Sequence, residues 1–156
     1  MALIRILVDG YSLLHHWPEL APGWPRHSSF AREELIKWLT QYRDATGTPI
    51  TIFFDGSRPR GDSIPVESTS EMEILYSHAG QTADQMIERA AHRLAAYGEV
   101  LVVTNDRAER DIVLGFGGMA SSCEEFVHTV HDALGGLHRD LNHLNRIERN
   151  RYQKSR

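Results

Sequence analysis

Three times along the chain a short apolar run, largely β-branched, stops at an acid. Leu3-Ile4-Arg5-Ile6-Leu7-Val8 leads into Asp9-Gly10, and Ile50-Thr51-Ile52-Phe53-Phe54 leads into Asp55-Gly56. Val100-Leu101-Val102-Val103 leads into Thr104-Asn105-Asp106. Runs this short and continuous read as strands buried on both faces, the condition of a parallel sheet. Parallel strands need long crossovers, and helical patterns fill the gaps between these runs.

The spacing predicts a helix from Ser28 to Ala45, with Phe30, Leu35, Ile36, Leu39 and Tyr42 near one face and Gly47 and Pro49 ending it. Thr82-Ala83-Asp84-Gln85 is a capping box. It opens a helix with Ala83, Ile87, Ala90, Ala91 and Leu94 inward, closed by Gly98. Arg107–Leu114 reads as a short helix, Glu71–Tyr76 as a further strand, and Met119-Ala120 as a short last one. Ser122-Cys123-Glu124-Glu125 is a second capping box, whose helix runs to Leu134. Strands alternating with helices give a parallel α/β sandwich.

The chain's 156 residues suit one domain with a sizeable core. At 41% hydrophobic and 24% charged, it is not a disordered chain. No apolar run approaches the ~18 residues of a membrane span, and residues 1–9 carry no signal-peptide pattern. The single cysteine, Cys123, has no intramolecular partner, so a reducing, cytoplasmic setting is expected. The net charge of −4 conceals a division. Residues 1–138 hold 11 basic and 19 acidic side chains, whereas residues 139–156 hold six basic and two acidic. The expected organisation is a body over 1–134 and a basic amphipathic helix over 135–156, with Leu137, Leu141, Leu144 and Ile147 on one face.

Ligands of open parallel sheets bind at the carboxyl ends of the strands. Asp9, Asp55 and Asp106 all fall there. Asp84 opens a helix, with Glu88 one turn later on its face. Two carboxylates about 4 Å apart repel by roughly 4 kcal/mol at an effective dielectric near 20. Such acids either take up a proton or surround a cation. Oxygen donors without cysteine or clustered histidine favour Mg²⁺ or Mn²⁺ over zinc. Each acid also has an ordinary use: Asp106 as a helix cap, Asp84 as a favourable charge at a helix start.

The motifs Leu7-Val8-Asp9-Gly10-Tyr11-Ser12-Leu13-Leu14, Phe54-Asp55-Gly56, Gly80-Gln81-Thr82-Ala83-Asp84-Gln85-Met86-Ile87-Glu88 and Val102-Val103-Thr104-Asn105-Asp106-Arg107 together resemble the YacP-like NYN domain, one of the PIN-like nucleases. The resemblance spans roughly residues 3–130. It implies a PIN-like three-layer sandwich around a mainly parallel sheet, and a metal-dependent endoribonuclease acting on RNA. Asp9, Asp84 and Asp106 then stand at the metal-binding positions, with Asp55 and Glu88 as supporting members of the catalytic set. Thr104 stands at a small hydroxyl position lining the site. Some relatives act on RNA near the translation machinery, so the ribosome is a further expected partner. The chain departs from the family where Ser12 replaces the usual asparagine and Asn105 replaces the usual serine or threonine.

Ser12, Arg58, Arg60, Thr104, Asn105 and Arg107 are the expected substrate contacts, with Arg110 nearby. His15, His16 and His78 flank the proposed site in sequence. Cys123, beside a helix start, invites a lowered pKa, although no partner pattern marks it as a nucleophile. Trp17 and Trp24 could pack or stack on bases. Two other readings stay open: an RNA- or ribosome-binding module that keeps the fold without the chemistry, and a phosphatase on small phosphoesters. Aspartyl-phosphate enzymes need a second acid where Tyr11 stands, which weakens the latter.

Overall fold

The computed structural model describes residues 3–56, 69–78 and 80–135. Five strands form one sheet: β1 (Leu3–Asp9), β2 (Ile50–Phe54), β3 (Met72–Tyr76), β4 (Glu99–Val103) and β5 (Met119–Ser121). Their spatial order is β3-β2-β1-β4-β5. Every pairing is parallel, so the sheet expected to be mainly parallel is wholly so. β1 lies at the centre, with Ile6 opposite Ile50 on one side and Leu101 on the other.

Alternation along the strands divides the core in two. Ile6, Val8, Ile50, Ile52 and Phe54 face one layer, made by α1 (Gly10–His15), α2 (Ser29–Thr46) and α5 (123–135). Leu7, Phe53, Val100 and Val102 face the other, made by α3 (Ala83–Leu94) and α4 (Arg107–Gly115). The result is the three-layer sandwich the sequence predicts. Among the described residues no helix is long and apolar enough to cross a membrane.

Local signals account for most helix ends. Thr82 accepts from the Gln85 amide while the Gln85 side chain accepts from the Thr82 amide, closing the capping box of α3. Gly47 ends α2 at φ 75°, a left-handed turn that glycine adopts without a Cβ clash. The Ser122 hydroxyl accepts from the Glu125 amide at the start of α5.

Three sequence expectations change. Phe30 is 38% exposed and packs on Trp24; the inward face of α2 runs through Ala31, Leu35, Leu39 and Tyr42, with Arg32 also buried. That set keeps the helical i, i+4 phase, which Phe30 breaks. α1 was not expected from the sequence: it is six residues long and begins on a glycine. Residues 18–20 form a single 3-10 turn in what reads as a loop. The helix expected over 137–147 lies outside the described residues, and so do Arg58 and Arg60.

Candidate active site

Asp9 ends the central strand and caps α1, accepting from the Ser12 amide at 3.3 Å. The cap needs Gly10. A Cβ there would lie 2.4 Å from the Phe54 ring, so only glycine lets the chain turn against β2. Asp55 follows β2, and its carboxylate accepts from the Ser77 hydroxyl at 3.0 Å. Ser77, just past β3, accepts in turn from the Gly56 amide, which ties the two strand ends together. Asp84 sits in the first turn of α3. Asp106 follows β4 and caps α4, accepting from the Ala108 and Glu109 amides. Four connections thus deliver one acid each to the carboxyl end of the sheet.

The acids feel one another. Burial, then the charges of Asp84 and Asp55, raise the Asp9 pKa to about 6 despite the Ser12 amide, which pulls it down. Asp84 is raised as well, by burial and by Asp106, Asp55 and Glu88. Glu109 joins the group: burial, with Glu88, Asp84, Asp106 and Asp9, pushes it to about 7. Among the described residues its Oε2 is buried without a hydrogen-bond partner.

Asp9, Asp55 and Asp84 line one cleft of about 560 Å³ with Tyr11 and Ser12. Asp106, Glu88 and Glu109 act on these acids through their charge but do not line the cleft. Among the described residues no three His, Cys, Asp or Glu side chains converge closely enough to hold a metal ion. The donors are nevertheless of the kind that suits one. Carboxylates whose ionisation is resisted by burial and by one another are relieved when a cation binds among them. Closing them on one ion requires side chains to turn.

The expected substrate contacts fare unevenly. Ser12 lines the cleft, with its hydroxyl 3.5 Å from the Cys123 sulfur. Thr104 does not face a ligand: it is 1% exposed, and its hydroxyl accepts from the Asp106 amide. Asn105 is committed inward too, accepting from the Cys123 amide at 2.6 Å and donating to the Glu124 carboxylate. Both residues serve as struts, Thr104 for Asp106 and Asn105 for the start of α5. Arg107 is exposed at the start of α4, outside the cleft lining. Arg110 turns back to donate to the Thr104 carbonyl. Cys123 runs against its expected lowered pKa: the thiol is buried, and burial pushes it up to about 11.

Sequence reasoning missed Glu109, Arg26 and His27. Glu109 stands three residues after a helix-capping aspartate, where a glutamate reads as part of the cap. Arg26 and His27 come from an aperiodic segment, and they line the cleft together with His15 and His16.

Known proteins share this arrangement of chain. The uncharacterized protein YacP of Bacillus subtilis (strain 168) is 28% identical over 126 residues, which is 80% of this chain and 74% of that one. A crystal structure of a mutant of Rae1 (YacP) from Bacillus subtilis matches with a TM-score of 0.73 at 25% identity, covering 92% of this chain and 84% of that one. A second crystal structure of Rae1 (YacP) gives 0.72 at 24% identity, with 96% and 85% covered. Residues 6–156 match the YacP-like NYN domain as a family. By that match, and by a fold in common with its solved structures, this chain belongs to the YacP-like NYN domain family.

Proposed function

We propose that the protein is a metal-dependent endoribonuclease, cutting RNA phosphodiester bonds at the cleft where the strands end. The observation that carries this reading is that Asp9, Asp55 and Asp84, delivered by three different strand ends and connections, line one cleft, where burial and their mutual charges hold Asp9 and Asp84 above the usual carboxylate range. Asp9, Asp84 and Asp106 are the residues that would hold Mg²⁺ or Mn²⁺. Bound there, such an ion would supply positive charge for the scissile phosphate and would activate water for attack on phosphorus. Asp9 and Asp84, both held above the usual carboxylate range, would be fully ionised as ligands of such an ion. Asp55, anchored by Ser77, and Glu88 keep the local field negative and orient the ligands. Ser12 presents a short hydroxyl beside Asp9, reaching a phosphate through a water where an asparagine would reach directly. RNA engaged in translation, in the cytoplasm, is the proposed substrate.

The second reading is an RNA- or ribosome-binding module without chemistry. The acids' failure to converge on one point favours it. One experiment separates the two. The protein is incubated with Mn²⁺ and a structured RNA beside Asp84→Asn. The nuclease reading expects cleavage that falls at least about 100-fold in the variant, the scale of losing one group that acts in the chemical step. Equal cleavage by both proteins removes the site. RNA binding that ignores metal and tolerates Asp84→Asn, with no cleavage, establishes the module.

A further inference from the structure

Arg26 is an exposed cation with two imidazoles for partners. Its Nη1 donates to Nδ1 of His15, and its Nε donates to Nε2 of His27 at 3.3 Å. A guanidinium has no acceptor, so both ring nitrogens facing it are unprotonated. No carboxylate pairs with Arg26 among the described residues, which leaves its charge without an opposite.

The imidazoles are themselves held. The His27 ring packs on Tyr11 at 4.4 Å between centroids. The buried Arg32 donates to the His27 carbonyl at 2.6 Å and to the Tyr11 hydroxyl at 3.4 Å. The His15 ring meets His16 edge-on, and Nδ1 of His16 hydrogen-bonds the Ser12 carbonyl at 2.8 Å. Arg26 is therefore steered from two sides by groups anchored in α1 and α2.

Its place gives this arrangement a use. Arg26 lines the same cleft as Asp9, Asp55 and Asp84. A polyanion approaching those acids meets repulsion unless a cation stands across from them. A guanidinium donates in a fork that matches two phosphate oxygens, and a pre-oriented one loses little freedom on binding. We propose that Arg26, positioned by His15 and His27, is the phosphate-binding residue of this cleft, holding an internal phosphodiester of an RNA strand whose neighbouring linkage lies at the acids. The inference rests on the proposed function only for the identity of the ligand.

The test is binding of a short labelled single-stranded RNA to the full chain in EDTA, over a salt series. Arg26→Ala is expected to bind about tenfold more weakly, as for losing one charged hydrogen-bonding contact. Its salt slope should fall by about 0.7, the share of one phosphate on a single strand. Arg26→Lys keeps the charge without the fork, so it should recover the slope and only part of the affinity. Unchanged affinity and slope in a folded Arg26→Ala overturns the proposal, as does lost affinity at an unchanged slope. The same RNA with and without a 5′-phosphate fixes the group that is held. A loss confined to the phosphorylated strand also overturns it, since the cation would then hold a chain end. The nuclease reading fails separately. If the protein never cleaves with Mn²⁺ yet binds through Arg26, the site is not catalytic and the phosphate contact stands.

Discussion

Gly10 and Asp9 divide the work at the centre of the site. Gly10 lets the chain leave β1 against the Phe54 ring, and Asp9 caps the helix that results. Gly10→Ala is expected to cost about 1–3 kcal/mol, as other overpacked sites do, and to lower the thermal midpoint. The sequence does not reveal this use of Gly10, because a glycine chosen for close approach looks the same as one chosen for its dihedral angles. Asp9 carries an opposite effect. Its carboxyl is held near pKa 6, so above that pH the folded chain carries a buried charge it resists. Asp9→Asn removes that charge while keeping an oxygen for the Ser12 amide. In EDTA at pH 8 the variant is expected to melt higher than the parent, by at most about 3 kcal/mol of stability, while losing cleavage with Mn²⁺. A lower melting point would show that Asp9 is held by more than these repulsions.

Elements were legible where their signals are local. The strands, the Thr82–Gln85 capping box and the Gly47 stop follow from neighbouring residues, and each stands where the sequence places it. α1 was hidden because six residues span under two helical turns, too few for a periodicity to show. The strand order was hidden because it depends on pairings far apart in the chain. The strut roles of Thr104 and Asn105 were hidden for a related reason. A polar residue after a strand looks the same whether it faces a ligand or a neighbouring element. Asn105 joins the end of β4 to the start of α5 through its contacts with the Cys123 amide and Glu124. Asn105→Ala leaves that amide without its acceptor, so a loss of about 1–3 kcal/mol is expected. Hydrogen exchange should rise first in the opening turn of α5; faster exchange across the whole sheet instead would deny Asn105 its local role.

At the scale of the molecule, the clustered acids set a pH dependence unlike ordinary acid denaturation. Asp9, Asp84 and Glu109 all have folded-state pKa values above their unfolded ones. Between about pH 4 and 7 the folded state therefore binds more protons than the unfolded state, and their contribution to stability is lost as pH rises through that window. A divalent ion at the acids replaces the protons. Added Mg²⁺ is thus expected to raise the melting temperature more at pH 8 than at pH 5. An equal rise at both values would place the ion elsewhere. The overall charge of −4 hides this, because it counts the acids without saying that they sit together. The all-parallel order has one more outcome. β1 ends in Asp9, yet its second neighbour is β4, which begins at residue 99, and Asp106 lies beyond that. A chain still being synthesised therefore holds its first acid long before it can hold the set. On the proposed function, a growing chain cannot cut the message that encodes it until most of its own sequence has emerged.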